Sequence, residues 1–69
     1  MHFKQMQIEF EKLEAMDRST IVGGVTLDQV YDMATAICDE HCIDIETVDG
    51  HEQFMFQVVT VARQCEFLN

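Results

Sequence analysis

The segment Ile43-Asp44-Ile45-Glu46-Thr47-Val48-Asp49-Gly50-His51-Glu52-Gln53-Phe54-Met55-Phe56-Gln57-Val58-Val59-Thr60-Val61 decides whether this chain is all helical or part sheet. Residues 43–48 nearly alternate apolar and polar, Asp49-Gly50 is a hairpin-type dipeptide, and residues 54–61 are rich in strand formers. Those features describe a β-hairpin. The competing pattern is helical: Asp49 and Glu52 stand at capping-box spacing, and Phe54, Val58, Val61, Ala62, Cys65 and Leu68 share a stripe of helical period. A β-branched run costs a helix on the order of tenths of a kcal/mol per residue, which burial of the stripe outweighs. The expected fold is therefore all-α, a small three-helix domain spanning residues 1–69. An α+β fold with a C-terminal β-hairpin around Asp49-Gly50 is the alternative.

Upstream, Thr26 precedes Leu27-Asp28-Gln29 as a capping-box start. Leu27, Val30, Tyr31, Ala34, Ile37, Cys38 and His41 or Cys42 then recur on one face, predicting a helix over 27–42. At the start of the chain Phe3, Met6, Phe10 and Leu13, spaced by three and four among Lys4, Glu9, Glu11, Lys12 and Glu14, predict an amphipathic helix over 2–16. Its narrow stripe suits packing on its own domain or a self-association seam. Between the two helices, Asp17-Arg18-Ser19-Thr20 and Gly23-Gly24 break the periodicity and form the main hinge.

Charge narrows the function. The chain has 69 residues and a net charge of −9, and from Ile21 to Ala62 it contains no lysine or arginine beside Asp28, Asp32, Asp39, Glu40, Asp44, Glu46, Asp49 and Glu52. These carboxylates stay solvated or meet a basic surface on another protein. With so few cations, direct nucleic-acid binding and anionic membranes are disfavoured. A chain this short buries only about 60% of its unfolded surface, so docking or homo-oligomerisation would add needed stability. No apolar run is long enough for a membrane span, and Met1-His2-Phe3-Lys4 leads into no signal-peptide core, so a cytoplasmic location is expected.

Cys38, His41 and Cys42 share a face if the helix continues through them, and Cys65 would complete a Cys3His zinc set. The spacing lacks the paired ligand loops of zinc domains, so the cysteines are read as free and core-packed, with no cofactor. Carboxylate pairs such as Asp28/Asp32 and Asp39/Glu40 have no cleft to separate their pKa values in so small a chain, which argues against an enzyme. Phe54-Met55-Phe56 cannot all turn inward on one helix, so at least one serves as an exposed anchor or a loose core corner. Asp39, Glu40, Asp44, Glu46 and Asp49 would form the charged rim of such a site. Glu66-Phe67-Leu68 repeats the pairing of an acid with apolar residues.

The stretch Met33-Ala34-Thr35-Ala36-Ile37-Cys38-Asp39-Glu40-His41-Cys42-Ile43, followed by Ala62-Arg63-Gln64-Cys65-Glu66-Phe67-Leu68, resembles the late-transcription coactivators of T4-type phages. Ile8-Glu9-Phe10-Glu11-Lys12-Leu13 has a loose counterpart there, and about half the chain is covered. The resemblance implies a helical phage protein that docks on the β-subunit flap of bacterial RNA polymerase and connects it to the sliding clamp without binding DNA. The Gly23-Gly24 loop is longer than the family's link, and Glu66-Phe67-Leu68 stands where the family continues into a clamp-binding tail. The expected function is a non-catalytic acidic protein-binding module regulating transcription. The alternative is a nucleic-acid-mimicking inhibitor of a nuclease or host-defence complex.

Overall fold

The computed structural model describes residues 3–68 and runs a helix through the ambiguous segment. In chain order the elements are α1 (Phe3–Glu14), β1 (Ile21–Val22), β2 (Val25–Thr26), α2 (Leu27–Glu40) and α3 (Val48–Gln64). The domain is a three-helix fold with one very small hairpin. That hairpin is at the glycine pair, not at Asp49-Gly50. Gly23 and Gly24 both have positive φ, +60° and +84°, the backbone of a two-residue hairpin turn that matches strand twist. The expected hinge is thus a pinned turn, with Val22 opposite Val25 and Ile21 opposite Thr26. Arg18 and Thr20 carbonyls accept from Asp28 and Leu27 N–H groups and tie the connection to the start of α2.

The α2 N-terminus forms as its sequence predicts. Thr26 Oγ1 accepts from Gln29 N at 3.1 Å while Gln29 Oε1 accepts from Thr26 N at 2.9 Å, so two otherwise orphaned donors are satisfied reciprocally. The helix ends earlier than the expected Cys42. His41 is its C-cap, Cys42 turns to φ 58°, Ile43 N–H donates to the Cys38 carbonyl and Cys42 N–H to Asp39. Those two bonds are a Schellman motif, usually closed by glycine. Helix α3 repeats it: Glu66 has φ 65°, Phe67 donates to Ala62 and Glu66 to Arg63. Each motif is followed by an inward-leaning apolar residue, Ile43 or Phe67.

The start of α3 departs from expectation in its capping residue. Thr47, not Asp49, is the N-cap, and its hydroxyl accepts from Gly50 N at 3.0 Å. The nearly alternating residues before it form a turn: the Asp44 carbonyl takes bonds from Thr47 N and Thr47 Oγ1, and the Asp44 side chain accepts from Glu46 N. Asp49 sits in the first turn, where a carboxylate is favoured by the helix dipole. Gly50 is buried, and a Cβ there would stand 1.8 Å from the Asp44 carbonyl oxygen. The glycine that looked like a hairpin signal permits a close approach of loop to helix.

Helix α3 is the centre of the domain, packing on both α1 and α2. Its buried face therefore exceeds a single stripe and takes in Met55 and Val59 beside Val58, Val61 and Ala62. Met6, Phe10 and Leu13 from α1 and Leu27, Val30, Tyr31, Ala34 and Cys38 from α2 complete the core. Phe10, Tyr31 and Phe54 join the three helices, with ring centroids 6.3, 6.5 and 6.2 Å apart. The Phe10–Tyr31 and Phe10–Phe54 pairs are edge-on and add about 1 kcal/mol each beyond area burial, while Tyr31–Phe54 is tilted. Outside this cluster, Arg18 lies 3.7 Å over the Tyr31 ring and pairs with Asp28, while Arg63 pairs with Glu9 across α1 and α3. Half of the chain's four lysines and arginines are thus engaged within the fold.

Candidate functional site

The N-terminal halves of α1 and α3 leave an open groove between them. On α1, Phe3 and Gln7 are one turn apart on its wall; on α3, Val48, Glu52 and Met55 form the facing ridge. Residues 45–47 of the cap turn close one end, and His51 adds its ring, which meets Phe10 edge-on at 6.3 Å. This lobe holds about 650 Å³. A second lobe of about 280 Å³ lies beside it, lined by Phe3, Met6, Glu52, Gln53 and Phe56. Phe3 and Glu52 border both, so the two lobes adjoin along the α1–α3 seam.

Its chemistry is apolar with an acidic rim. Phe3 is 42% exposed, Phe56 46% and Val48 80%. Exposed single apolar residues are ordinary, but three large ones around one groove form the kind of patch that marks contact surfaces. Glu46 and Glu52 line it, Asp49 lies on the same first turn of α3, and no lysine or arginine is in the lining. A second, smaller hollow by the hairpin, lined by Gly24, Val25, Gln29, Asp32 and Met33, shows the same pairing of an acid with an exposed apolar side chain.

The structure sorts the residues expected at a partner surface. Of the aromatic triplet, Phe56 faces solvent, Met55 is only 8% exposed, and Phe54 is a half-buried ring packed on Phe10 and Tyr31. Phe67 is a core residue at 6% exposure and Leu68 packs partly against the core, while Glu66 is exposed. Met55 and Phe67 are therefore structural, and Phe54 belongs chiefly to the aromatic cluster. Asp39, Glu40, Asp44, Glu46 and Asp49 are all exposed. Among the described residues, none of these acids, nor Asp32 or Glu52, forms an ion pair. Asp39 and Glu40 lie at the C-terminal end of α2 and do not line the groove.

Sequence reasoning missed Phe3, Val48 and His51 as groove residues. Phe3 read as core because it continues the Met6, Phe10, Leu13 stripe, and Val48 fell just before the expected Asp49 cap, outside the helix. Recognising Thr47 as the cap would have placed Val48 at the first helical position, before α3 has a neighbour to bury it.

The four metal candidates do not assemble. Cys38 is buried, Cys42 is exposed and beyond the helix, and Cys65 is half-buried. Because α2 stops at Glu40, the one-face relation of Cys38, His41 and Cys42 is lost. Among the described residues no three His, Cys, Asp or Glu side chains group as metal ligands. Burial first, then the Asp39 charge, pushes the Cys38 thiol up from its ordinary value, which disfavours the reactive thiolate. Elsewhere, the bonds from Arg63 and then Gln5 hold the Glu9 carboxyl below its usual range. Burial, then the Glu14 charge, raises Tyr31. No family model, curated protein or solved structure matches this chain. Among the described residues no helix is long and apolar enough to cross a membrane.

Proposed function

We propose that this chain is a non-catalytic acidic protein-binding module whose α1–α3 groove docks on a partner surface with an apolar centre and basic edges. The observation that carries this reading is the coincidence of exposed Phe3, Val48 and Phe56 with Glu46 and Glu52 along one seam whose lining has no lysine or arginine. Apolar burial would supply the affinity that remains after the cost of association, and the carboxylates would steer encounter and select against acidic competitors.

The resemblance of residues 33–43 and 62–68 to phage late-transcription coactivators supports bacterial RNA polymerase as the partner, in the host cytoplasm. The β-subunit flap is the first site to examine and the sliding clamp the second. The test is co-purification of identified polymerase subunits with the tagged chain, repeated with Phe56→Ala and Glu52→Lys. Recovery by wild type and loss in both variants supports the reading; absence of polymerase subunits sinks its specific form.

The unpaired acids between Asp32 and Glu52 favour one competing reading, a mimic of nucleic acid that occupies a basic groove. In that case charge reversal at Asp39, Asp44 and Asp49 abolishes binding and Phe56→Ala barely matters. The hydrophobic docking reading requires the opposite ranking.

A further inference from the structure

We infer that the occupant of the α1–α3 groove is a cationic amphipathic helix of the partner, an assignment that rests on the docking reading above and names the shape and charge of what docks. The first observation is backbone chemistry. The lining comes from α1, α3 and the turn that caps α3, and among the described residues the strands, Ile21–Val22 and Val25–Thr26, take no part in it. An extended peptide would find no strand edge to pair its N–H and C=O groups, whereas a helix brings its own backbone already satisfied.

The second observation is the shape of the seam. Phe3 and Gln7 on α1, and Val48 with Glu52 on α3, are ridges of residues four apart flanking a trough, the arrangement into which a ridge of another helix fits. The two adjoining lobes, both bordered by Phe3 and Glu52, offer room for apolar side chains of an incoming helix.

The third observation is charge. Glu46 lines the larger lobe and Glu52 lines both, and no lysine or arginine is in either lining. Lysine or arginine flanking the apolar anchors of the incoming helix would complement this rim. A second copy of the chain is the wrong occupant, because two molecules of net charge −9 would bring unpaired carboxylates together.

The test uses synthetic peptides of about 18 residues, long enough to hold a helix when capped. One carries leucines at helical spacing with lysine and arginine flanks. A second has the same composition with a central proline, and a third replaces the bases with glutamate. Binding to the full chain is followed by fluorescence anisotropy, with amide chemical shifts locating the contact. The first peptide is expected to bind at least about tenfold more tightly than the second, the third not to bind, and the shifts to centre on Phe3, Val48, Glu52 and Phe56. Phe56→Ala and Glu52→Lys, both at exposed positions whose fold is checked by circular dichroism, each weaken the first peptide about tenfold.

Equal binding of the helical and proline-broken peptides, or shifts centred on Asp28, Asp32 and Met33, would overturn the helix assignment. Polymerase capture that depends on Phe56 while the helical peptide fails to bind leaves the docking face standing and removes only the helical occupant. Failure of both removes both.

Discussion

Replacing Gly50 with alanine separates two opposing effects whose sizes the structure sets. In an ordinary helix interior the change stabilises by about 1 kcal/mol, because glycine loses more backbone freedom on folding. Here the new Cβ would stand 1.8 Å from the Asp44 carbonyl oxygen, 2.6 Å from its carbon and 2.7 Å from Thr47 Oγ1. Real Cβ contacts essentially never fall below 3.0 Å, so the Asp44 carbonyl must retreat by at least about 1.2 Å. That carbonyl accepts from Thr47 N at 3.2 Å and Thr47 Oγ1 at 2.8 Å, and the same hydroxyl caps Gly50 N. Losing two turn bonds and the cap costs about 3 kcal/mol, against the gain of about 1.

The net destabilisation is about 2 kcal/mol, a large share of the roughly 3–10 kcal/mol expected of a domain this size. It corresponds to a fall in Tm of about 8–16 °C. Urea unfolding followed by circular dichroism measures it, with Gly23→Ala as comparison. Gly23 has open space around it but φ +60°, so alanine there costs about 1 kcal/mol through left-handed strain alone. If Gly50→Ala equals or exceeds wild type in stability, the close approach of the Asp44 loop to α3 is not a feature of the native fold and the reasoning fails.

Cys42→Gly and Glu66→Gly should each stabilise the domain by about 0.5–1 kcal/mol, since both positions close Schellman motifs at positive φ with a side chain attached; denaturant midpoints check this. Tyr31→Phe should be neutral or gain about 1 kcal/mol, because the buried Tyr31 hydroxyl has no hydrogen-bond partner among the described residues; a clear loss in thermal unfolding would show that the hydroxyl is bonded in solution. The Glu9–Arg63 pair gives a pH signature. Glu9 is held below its ordinary value of 4.5, so its stabilisation is present above the unfolded pKa and disappears as pH falls through the lower folded pKa. The stability difference between wild type and Glu9→Gln should therefore be level near neutrality and shrink as pH falls through and below 4.5; a difference unchanged at acid pH would refute the pairing.

What was legible depended on how local its cause is. The start of α2 needs only Thr26 and Gln29, four positions that close on each other through side chain and backbone, and the structure contains that box. Its apolar stripe likewise became its buried face through Cys38. The α3 start was misassigned because Thr47 lies among near-alternating residues that imitate a strand. Its role depends on the Asp44 turn, which no periodicity reveals. The helix ends were illegible for another reason: both left-handed closures use residues other than glycine or asparagine, the usual markers.

The groove was only partly legible. That one member of Phe54-Met55-Phe56 must be exposed follows from helical geometry, since three consecutive side chains spread over more than half the circumference. Which one is exposed depends on where α1 and α2 lie against α3. Sequence alone therefore determined the helical class, the α2 cap, and a chain whose middle carries carboxylates without cations. Composition, periodicity and short-range capping act within a few residues. Tertiary structure decided that Phe56 faces out, that Met55 and Phe67 are core, that Gly50 admits the Asp44 loop, and that Phe3 and Val48 meet acids across a seam. Those outcomes depend on packing between residues about 45 positions apart in the chain, such as Phe3 and Val48, and no local pattern encodes such distances.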